Sequence, residues 1–369
     1  MAHALANRAD KPASEATAPA SSTDLKSPRT PGNALASVTV AKAAEKVGGH
    51  VDLAATLTQA ASASLASSAV AQADRGTAGK ASSGARRFPE GPGDATDTKA
   101  DGVAPAQLPK LHSDHAKEGY ATISPSTAFV QAEGDAAAVD PHDVEQGELG
   151  DCYLIAGMAA VARAQPDAIG KLIQPREDGS YDVTLHVRKD RISKPTPVTT
   201  RVDAQLPARG GDRLIYAGSS DKKDGQRELW PSLIEKAFAT VRSGYEAIEG
   251  GNVGDHPFTG ATELLTGKNE SYTSTDSLSP DQILARLQAA LDKKQPVTLD
   301  SRNMKEDSAS AKEANAINVY GNHAYAVESV DLQKKTAKLQ NPWGSHHVGE
   351  ITGAQIKKFY GGIRIGGAP

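Results

Sequence analysis

Large aromatic side chains are almost missing from the first third of this chain, and their distribution decides where a folded domain can form. The 369 residues include five Phe, two Trp and nine Tyr, and among these only Phe88 precedes Tyr120. The early residues are mainly Ala, Ser, Thr, Gly, Pro, Lys and Asp, which bury too little apolar surface to offset the entropy of ordering. We therefore predict a low-complexity, mostly disordered tail over residues 1–118 and a folded domain over residues 119–369.

The only cysteine, Cys152, stands at the start of a regular apolar pattern in the folded part. One thiol forms neither an internal disulfide nor a site of several cysteines, so it either packs or reacts. Apolar residues recur after it at helical spacing and predict a buried helix that begins near Cys152. These residues are Leu154, Ile155, Met158 and Val161. The first turn of a helix favours a thiolate, but free cysteines are also often buried, so both alternatives stay open here.

A histidine and an asparagine lie at the ends of two predicted neighbouring strands. Residues 323–330 alternate in the manner of a half-buried strand that opens with His323. Residues 337–341 form a short second strand that ends at Asn341. A hairpin through the polar turn at residues 333–336 brings His323 near Asn341. A thiol, an imidazole and an amide are together the groups of a cysteine nucleophile, its base and the residue that orients the base.

Two further helices are predicted between the helix that begins near Cys152 and the strand that opens with His323. Residues 229–241 carry an apolar helical stripe, with Trp230 assigned to the core and with Glu235 and Lys236 pointing away. Ser279 begins another helix, because it is followed by proline and by a glutamine at the third helical position of a capping box.

Three blocks of sequence resemble the signatures of the calpain-type, papain-fold cysteine proteases. They are residues 146–156, 322–327 and 341–344, and similar blocks between them extend the resemblance over roughly residues 140–350. The resemblance implies an α+β catalytic core only, without the family's other domains. It divides this core into a helix-rich cysteine lobe at residues 119–268 and a β-rich histidine lobe at residues 269–369, with a cleft between them.

The resemblance implies a role for each of four residues. Cys152 resembles the nucleophile, His323 the general base and Asn341 the residue that fixes the imidazole. Gln146 resembles the glutamine whose amide helps to form the oxyanion hole. The implied activity is limited endoproteolysis of protein substrates through an acyl-enzyme. Further candidates for contact with substrate are Gly150, Asp151, Trp343 and Gly251.

The sequence departs from the family pattern at two positions next to the site. Tyr153 follows the cysteine where the family usually has tryptophan, and Asn322 precedes the histidine where the family has glycine. Both tyrosine and tryptophan present a flat face and one polar hydrogen, so we expect changed packing with unchanged chemistry.

Calcium activates animal calpains by drawing the two lobes together, and Asp143 matches one ligand of the first such site. Residues 196–200 contain Thr, Pro and Val where an acidic partner is expected. Calcium needs several oxygen ligands. We therefore treat Asp143 as a weak calcium candidate, name no confident metal ligand, and expect activity without calcium or another cofactor.

Charge and hydropathy exclude several other classes of partner. The formal net charge is −4 and no long basic tract is present, so we expect no nucleic-acid partner. The sequence has neither an apolar run of about 18 residues nor the apolar core of a secretory signal. We expect a soluble protein, with no membrane partner, that is cytoplasmic or exported by a non-classical route. The Ser/Ala/Thr-rich tail resembles the secretion segments of bacterial effectors, and a generic linker or a removable pro-segment has the same kind of composition. The oligomeric state is not indicated.

Two other functions are compatible with the same residues. A catalytically silent interaction protein would bind a partner without cleaving it, and a cysteine-dependent deamidase or acyltransferase would use the same thiol and base.

Overall fold

The computed structural model describes residues 108–190, 192–250 and 260–369. The predicted disorder of residues 1–107 and the candidate Gly251 lie outside this described part. Ordered packing begins earlier than the predicted boundary at residue 119. A short 3₁₀ helix spans Ser113–His115, and the backbone N–H of buried His112 donates to the Tyr216 hydroxyl at 3.0 Å.

Within residues 119–190, 192–250 and 260–268, the cysteine lobe contains four helices: α1 (Cys152–Ala164), α2 (Pro166–Leu172), α3 (Trp230–Val241) and α4 (Ala261–Thr266). The described residues of this lobe also form nine strands: β1 (Gly119–Thr122), β2 (Ser126–Thr127), β3 (Ile173–Pro175), β4 (Tyr181–Val187), β5 (Thr196–Val202), β6 (Gln205–Arg209), β7 (Arg213–Leu214), β8 (Lys222–Lys223) and β9 (Gln226–Glu228). These strands form three small sheets, with the orders β1-β6-β7, β2-β9-β8 and β3-β4-β5. The α+β class is confirmed, but the description of this lobe as simply helix-rich omitted its sheets.

The histidine lobe is built on one six-stranded sheet with the order β10-β15-β11-β12-β13-β14. Its strands are β10 (Ser271–Ser274), β11 (Val297–Ser301), β12 (Ala324–Asp331), β13 (Thr336–Gln340), β14 (Val348–Thr352) and β15 (Tyr360–Ile365). Its helices are α5 (Pro280–Asp292), α6 (Ala309–Asn315) and α7 (Gly353–Phe359). Further 3₁₀ turns in the two lobes span Pro141–Asp143, Tyr245–Ala247 and Thr275–Ser277.

Two hydrophobic cores accompany these elements. One takes its buried residues from positions 123–265, and the other takes them from positions 283–365. Ala326 of β12 is the exception, because it belongs to the first core although it lies in the histidine lobe. Helix α1 packs directly against β11 and β12, so the start of this helix faces the strand that follows His323.

The predicted helix that begins at Ser279 is confirmed. The Ser279 side chain accepts the N–H of Gln282, whose side chain bonds back to the Ser279 N–H, and Pro280 occupies the first helical position. The prediction that Glu235 and Lys236 face solvent is wrong, since both are buried. The rest of the cysteine lobe buries these two polar residues. The apolar pattern within a helix does not show which of its polar residues other elements will bury.

No helix in the described ranges is both long enough and apolar enough to cross a lipid bilayer.

Candidate active site

Helix α1 begins at Cys152, as the apolar spacing predicts. The four spaced residues Leu154, Ile155, Met158 and Val161 are completely buried. Gly157 faces Ala261 of α4 so closely that a Cβ atom at this glycine would lie 2.5 Å from the Ala261 Cβ. This close approach fixes the nucleophile helix against the core of its own lobe.

The glycines before the cysteine are required by packing within the chain. A Cβ atom at Gly147 would lie 2.4 Å from the Ile215 carbonyl oxygen, and one at Gly150 would lie 3.1 Å from the Glu249 side chain. The turn is tied to these neighbours by bonds from Glu148 N–H to the Ile215 carbonyl at 2.7 Å and from Gly250 N–H to the Gly150 carbonyl at 3.0 Å. The predicted contact of Gly150 with substrate stays a prediction.

His323 and Asn341 come together through the predicted hairpin. Strands β12 and β13 pair antiparallel, with His323 directly before β12 and Asn341 directly after β13. The His323 Nε2 atom lies 2.9 Å from the Asn341 Oδ1 atom, and both residues are buried. The Trp343 backbone N–H also donates to Asn341 Oδ1, at 3.1 Å. Because this oxygen accepts both bonds, Nε2 carries the imidazole hydrogen and Nδ1 is left as the basic nitrogen.

Two aromatic rings hold the imidazole in place. The half-buried Trp343 ring lies 4.6 Å from the His323 ring between centroids, and the Tyr325 ring meets it edge-on at 4.9 Å. The Trp343 ring thus packs against the imidazole that is bonded to Asn341. Its predicted contact with substrate stays a prediction.

Ser301 supports the histidine from β11, and the sequence contained no pattern that marks it. Its hydroxyl accepts the His323 backbone N–H at 2.9 Å and donates to the Tyr320 carbonyl at 2.6 Å. The Ser301 N–H donates to the His323 carbonyl at 2.8 Å. These bonds fix the backbone of the residue that carries the imidazole.

The Cys152 sulfur lies at the start of β12, where it is in contact with the backbone N–H of Ala324. Burial raises the pKa of the Cys152 thiol to about 12, although part of the residue surface is accessible. Burial lowers the pKa of His323 to about 4, against a smaller upward effect of its bond to Asn341. These directions favour a neutral thiol and a neutral imidazole, because burial is the largest effect on the pKa of both groups.

Gln146 links the two lobes and keeps one amide hydrogen available. Its backbone N–H donates to the Pro342 carbonyl at 2.7 Å, next to Asn341. Its side-chain Nε2 donates to the Leu149 carbonyl at 2.7 Å, while Oε1 is buried without a hydrogen-bond partner. A side-chain amide has two N–H groups, so the second can point to an oxyanion.

Asp151 does not contact substrate through its side chain, contrary to the prediction. Its side chain is completely buried, and neither carboxylate oxygen has a hydrogen-bond donor. Only its backbone lies at the helix start, where its carbonyl accepts the Leu154 N–H at 2.8 Å.

Asp143 belongs to a group of three aspartates that the sequence did not bring together. One carboxylate oxygen of each of Asp135, Asp143 and Asp221 lies within 4.8 Å of the others. The Asp143 Oδ2 atom accepts the Trp230 indole N–H at 2.9 Å, whereas its Oδ1 atom is buried without a partner. Burial raises the pKa of Asp143 to about 7. Asp143 therefore has two acidic neighbours that lie outside residues 196–200, and the group fits the oxygen preference of a divalent cation.

A family model described as calpain family cysteine protease matches residues 122–355. Calpain-5 of Mus musculus is 29% identical over 230 residues, which cover 56% of this chain and 34% of that protein. Calpain-9 of Homo sapiens is 29% identical over 212 residues, covering 55% and 28%. Calpain-B of Drosophila melanogaster is 26% identical over 215 residues, covering 55% and 21%.

The chain spans about a third or less of the length of these curated relatives. The relatives are animal proteins and give no support to the interpretation of the tail as a bacterial secretion segment. The matched region contains the cysteine turn, the histidine strand and the asparagine that follows β13. Since the family model covers more than half of its residues, the chain belongs to the calpain family of cysteine proteases.

Proposed function

We propose that this chain is a cysteine endopeptidase in which Cys152 is the nucleophile and His323 is the base. The observation that carries the proposal is the bond between His323 Nε2 and Asn341 Oδ1, with the Trp343 N–H holding the same oxygen. This arrangement leaves His323 Nδ1 as a base beside the strand start whose Ala324 N–H contacts the Cys152 sulfur. A fixed tautomer next to a thiol is what proton transfer from that thiol requires.

The proposed reaction has two stages, which are the formation of an acyl-enzyme on Cys152 and its hydrolysis by water. His323 transfers the proton in both stages. His323 Nδ1 takes the Cys152 thiol proton as the sulfur bonds to the substrate carbonyl carbon. The carbonyl electron pair moves to oxygen, and the Cys152 N–H and the free Gln146 amide N–H donate hydrogen bonds to this oxyanion. Collapse breaks the C–N bond, and the imidazolium gives its proton to the leaving amine. Water then attacks the thioester carbon while His323 takes one water proton. The C–S bond breaks, which releases the acid, and the imidazolium returns its proton to the Cys152 sulfur.

The neutral resting pair is compatible with this mechanism. Burial raises the pKa of Cys152 and lowers that of His323, so the proton leaves sulfur only as the nucleophile attacks. The same two shifts favour a second candidate, an interaction protein whose buried pair stays unreactive. Partner binding that is unchanged by Cys152→Ala supports this second candidate, and cleavage of the partner by the wild type excludes it.

A proteome-wide cleavage profile of wild type against Cys152→Ser tests the endopeptidase proposal. We expect new peptide termini with the wild type that are missing with the variant, because serine lacks the acidity and nucleophilicity of the thiol. The same profile in the presence of a chelator measures the predicted calcium independence. Equal profiles for the two proteins across folded and unfolded substrates contradict the proposal.

We further propose that Asp135, Asp143 and Asp221 would hold a calcium ion, whose charge would balance theirs. The nearby Pro141 carbonyl accepts a bond from Gln340 of the histidine lobe at 2.5 Å, so this turn also joins the lobes. Added Ca²⁺ is expected to raise the unfolding temperature of the wild type, and Asp143→Asn is expected to abolish the rise. An equal rise in both proteins contradicts this assignment.

A further inference from the structure

Asp151 carries a buried carboxyl group directly next to the proposed nucleophile. Its side chain makes no capping bond to helix α1, although aspartate at a helix start normally accepts a backbone N–H. The group is 0% exposed and both of its oxygens are without a donor. Burying a charged oxygen without a donor costs free energy. We therefore expect the Asp151 carboxyl group either to carry a proton or to have a partner that stabilises it.

The carboxyl group of Glu235 in α3 supplies the partner. It lies within hydrogen-bonding reach of the Asp151 carboxyl group and is itself buried. The two Glu235 oxygens lie 3.1 and 3.2 Å from the backbone nitrogen of Ala217, which is a donor to them. Ionised carboxylates only accept hydrogen bonds, so Asp151 and Glu235 form a bond to each other only if one of them carries a proton.

The surroundings supply no positive charge that would replace that proton. Lys236, the basic residue next to Glu235, has its Nζ atom 2.6 Å from an oxygen of the Asp203 carboxylate. Among residues 108–190, 192–250 and 260–369, no ion pair involves Asp151 or Glu235. The titratable groups that face the pair, besides Cys152, are the Glu249 carboxyl and the phenols of Tyr120, Tyr153, Tyr216 and Tyr245.

These neighbours do not neutralise the pair either. The Glu249 carboxyl is bonded to His112 Nε2 at 2.7 Å. Burial raises the pKa of each of the four phenols, which therefore stay neutral. Burial likewise raises the pKa of both Asp151 and Glu235. The Asp151 carboxyl raises the pKa of Glu235 further, whereas the bond with Glu235 lowers that of Asp151 by less than burial raises it.

We propose that Asp151 and Glu235 share a proton and that this proton keeps negative charge away from the Cys152 sulfur. The inference rests on the proposed function, because a thiolate must form at Cys152 during catalysis. A charge on Asp151 raises the pKa of the Cys152 thiol and so opposes that step. Asp151 is thus a positioning residue that acts through Cys152 and does not touch the substrate.

Two isosteric variants separate this electrostatic role from a structural one. In Glu235→Gln the new amide donates to Asp151 and stabilises its ionised form, which raises the pKa of the neighbouring thiol. In Asp151→Asn the group next to the sulfur is neutral at every pH. The double variant Asp151→Asn with Glu235→Gln contains neither charge.

The readout is the rate of Cys152 alkylation by iodoacetamide as a function of pH, measured on the full chain. We expect Glu235→Gln to raise the midpoint of the acid limb by about one pH unit, which slows alkylation about tenfold below that midpoint. Asp151→Asn and the double variant are expected to keep the wild-type midpoint or lower it. A shift in the same direction in all three variants, or no shift in any of them, overturns the proposal.

Controls and a second measurement complete the test. Glu228→Gln changes a buried carboxyl group that is bonded to Val130 N–H and Ser219 instead, and it is expected to leave the midpoint unchanged. If Glu235→Gln does not fold, the unfolding free energy of Asp151→Asn is compared with that of wild type across pH. The proposal requires a weaker loss of stability with rising pH in Asp151→Asn, and an equal loss contradicts it.

Alkylation needs a thiolate but no proteolysis, so the two proposals fail separately. A midpoint shift without any substrate cleavage contradicts only the endopeptidase. Cleavage by Cys152 without the predicted shift contradicts only the shared proton.

Discussion

The two lobes differ in how completely their buried polar groups are paired. In the described residues, all but one of the buried side-chain polar atoms without a partner belong to the cysteine lobe. The exception is the Tyr360 hydroxyl. Three of the residues concerned, Asp143, Gln146 and Asp151, lie within ten residues before Cys152. In the histidine lobe, His323 and Asn341 have their bonds in place.

This difference indicates that the two lobes have different roles in the site. The fully bonded hairpin of the histidine lobe is a scaffold that fixes one tautomer and one orientation of the imidazole. The unpaired atoms around the cysteine turn are the oxygens of Asp143, Gln146 and Asp151, which accept hydrogen bonds. A proton or a cation can satisfy the carboxylate oxygens, and neither is supplied by the fold itself. Substitutions in the two lobes should therefore affect stability and activity in different proportions.

Gln146→Ala should show the largest separation of activity from stability. We expect kcat/KM to fall by about 10² to 10³, because one oxyanion donor is lost. The folded state loses only the bond to the Leu149 carbonyl, so the unfolding free energy should fall by no more than about 1 kcal/mol. As a control, Gln174→Ala removes an exposed amide bond to the Lys171 carbonyl away from the site and should change neither quantity measurably. A loss of stability as severe as the loss of activity breaks the comparison.

Asn341→Ala should affect both quantities. Removing Oδ1 leaves His323 Nε2 and the Trp343 N–H without their acceptor in a buried environment. We expect the unfolding free energy to fall by about 1 to 3 kcal/mol, together with a loss of activity. Denaturant unfolding measures the first and peptide hydrolysis the second, with the exposed Asn315→Ala as control. Unchanged stability would show that the histidine lobe is less tightly specified than we argue.

Gly147→Ala tests whether the cysteine turn is rigid despite its unpaired groups. The new Cβ atom would meet the Ile215 carbonyl oxygen at 2.4 Å, so backbone must move. We expect a loss of about 1 to 3 kcal/mol in unfolding free energy. Gly349→Ala in β14 meets no atom within 4 Å and should be close to neutral. Equal unfolding free energies for the two variants contradict a rigid turn.

The smallest expected effect is a pH dependence that originates in the cysteine lobe. Burial raises the pKa of Asp143 to about 7 and that of Glu228 to about 8. A carboxyl group with a raised folded-state pKa stabilises the fold below its unfolded value and loses this contribution as pH rises through the folded value. We expect unfolding free energy to fall by at least about 1 kcal/mol between about pH 5 and pH 8. Glu228→Gln should flatten the curve, and an unchanged curve contradicts the assignment.

Local patterns predicted the elements that carry the site, whereas long-range contacts remained hidden. The apolar spacing after Cys152, the Ser279 capping box and the hairpin between β12 and β13 each depend on residues close in sequence. Asp135 and Asp221 meet Asp143 only through the tertiary fold. The burial of Glu235 has the same cause, since a charged residue on a helix gives no local indication that it pairs with another acid.

The role of Asp151 shows where reasoning from neighbouring residues failed. Its place beside the nucleophile suggested contact with substrate, but its side chain points into the core. The residues around Cys152 likewise left its protonation state open, because the extent of burial around the thiol depends on β12 and on other distant residues.

The central claim is that the Cys152 thiol reacts through the His323 imidazole across the contact between α1 and β12. The most direct test is labelling by a thiol-reactive epoxide, located by mass spectrometry, in wild type and in His323→Ala. We expect one adduct, on Cys152, in the wild type and labelling slower by about 10² or more in His323→Ala. Labelling at equal rates in the two proteins would contradict it.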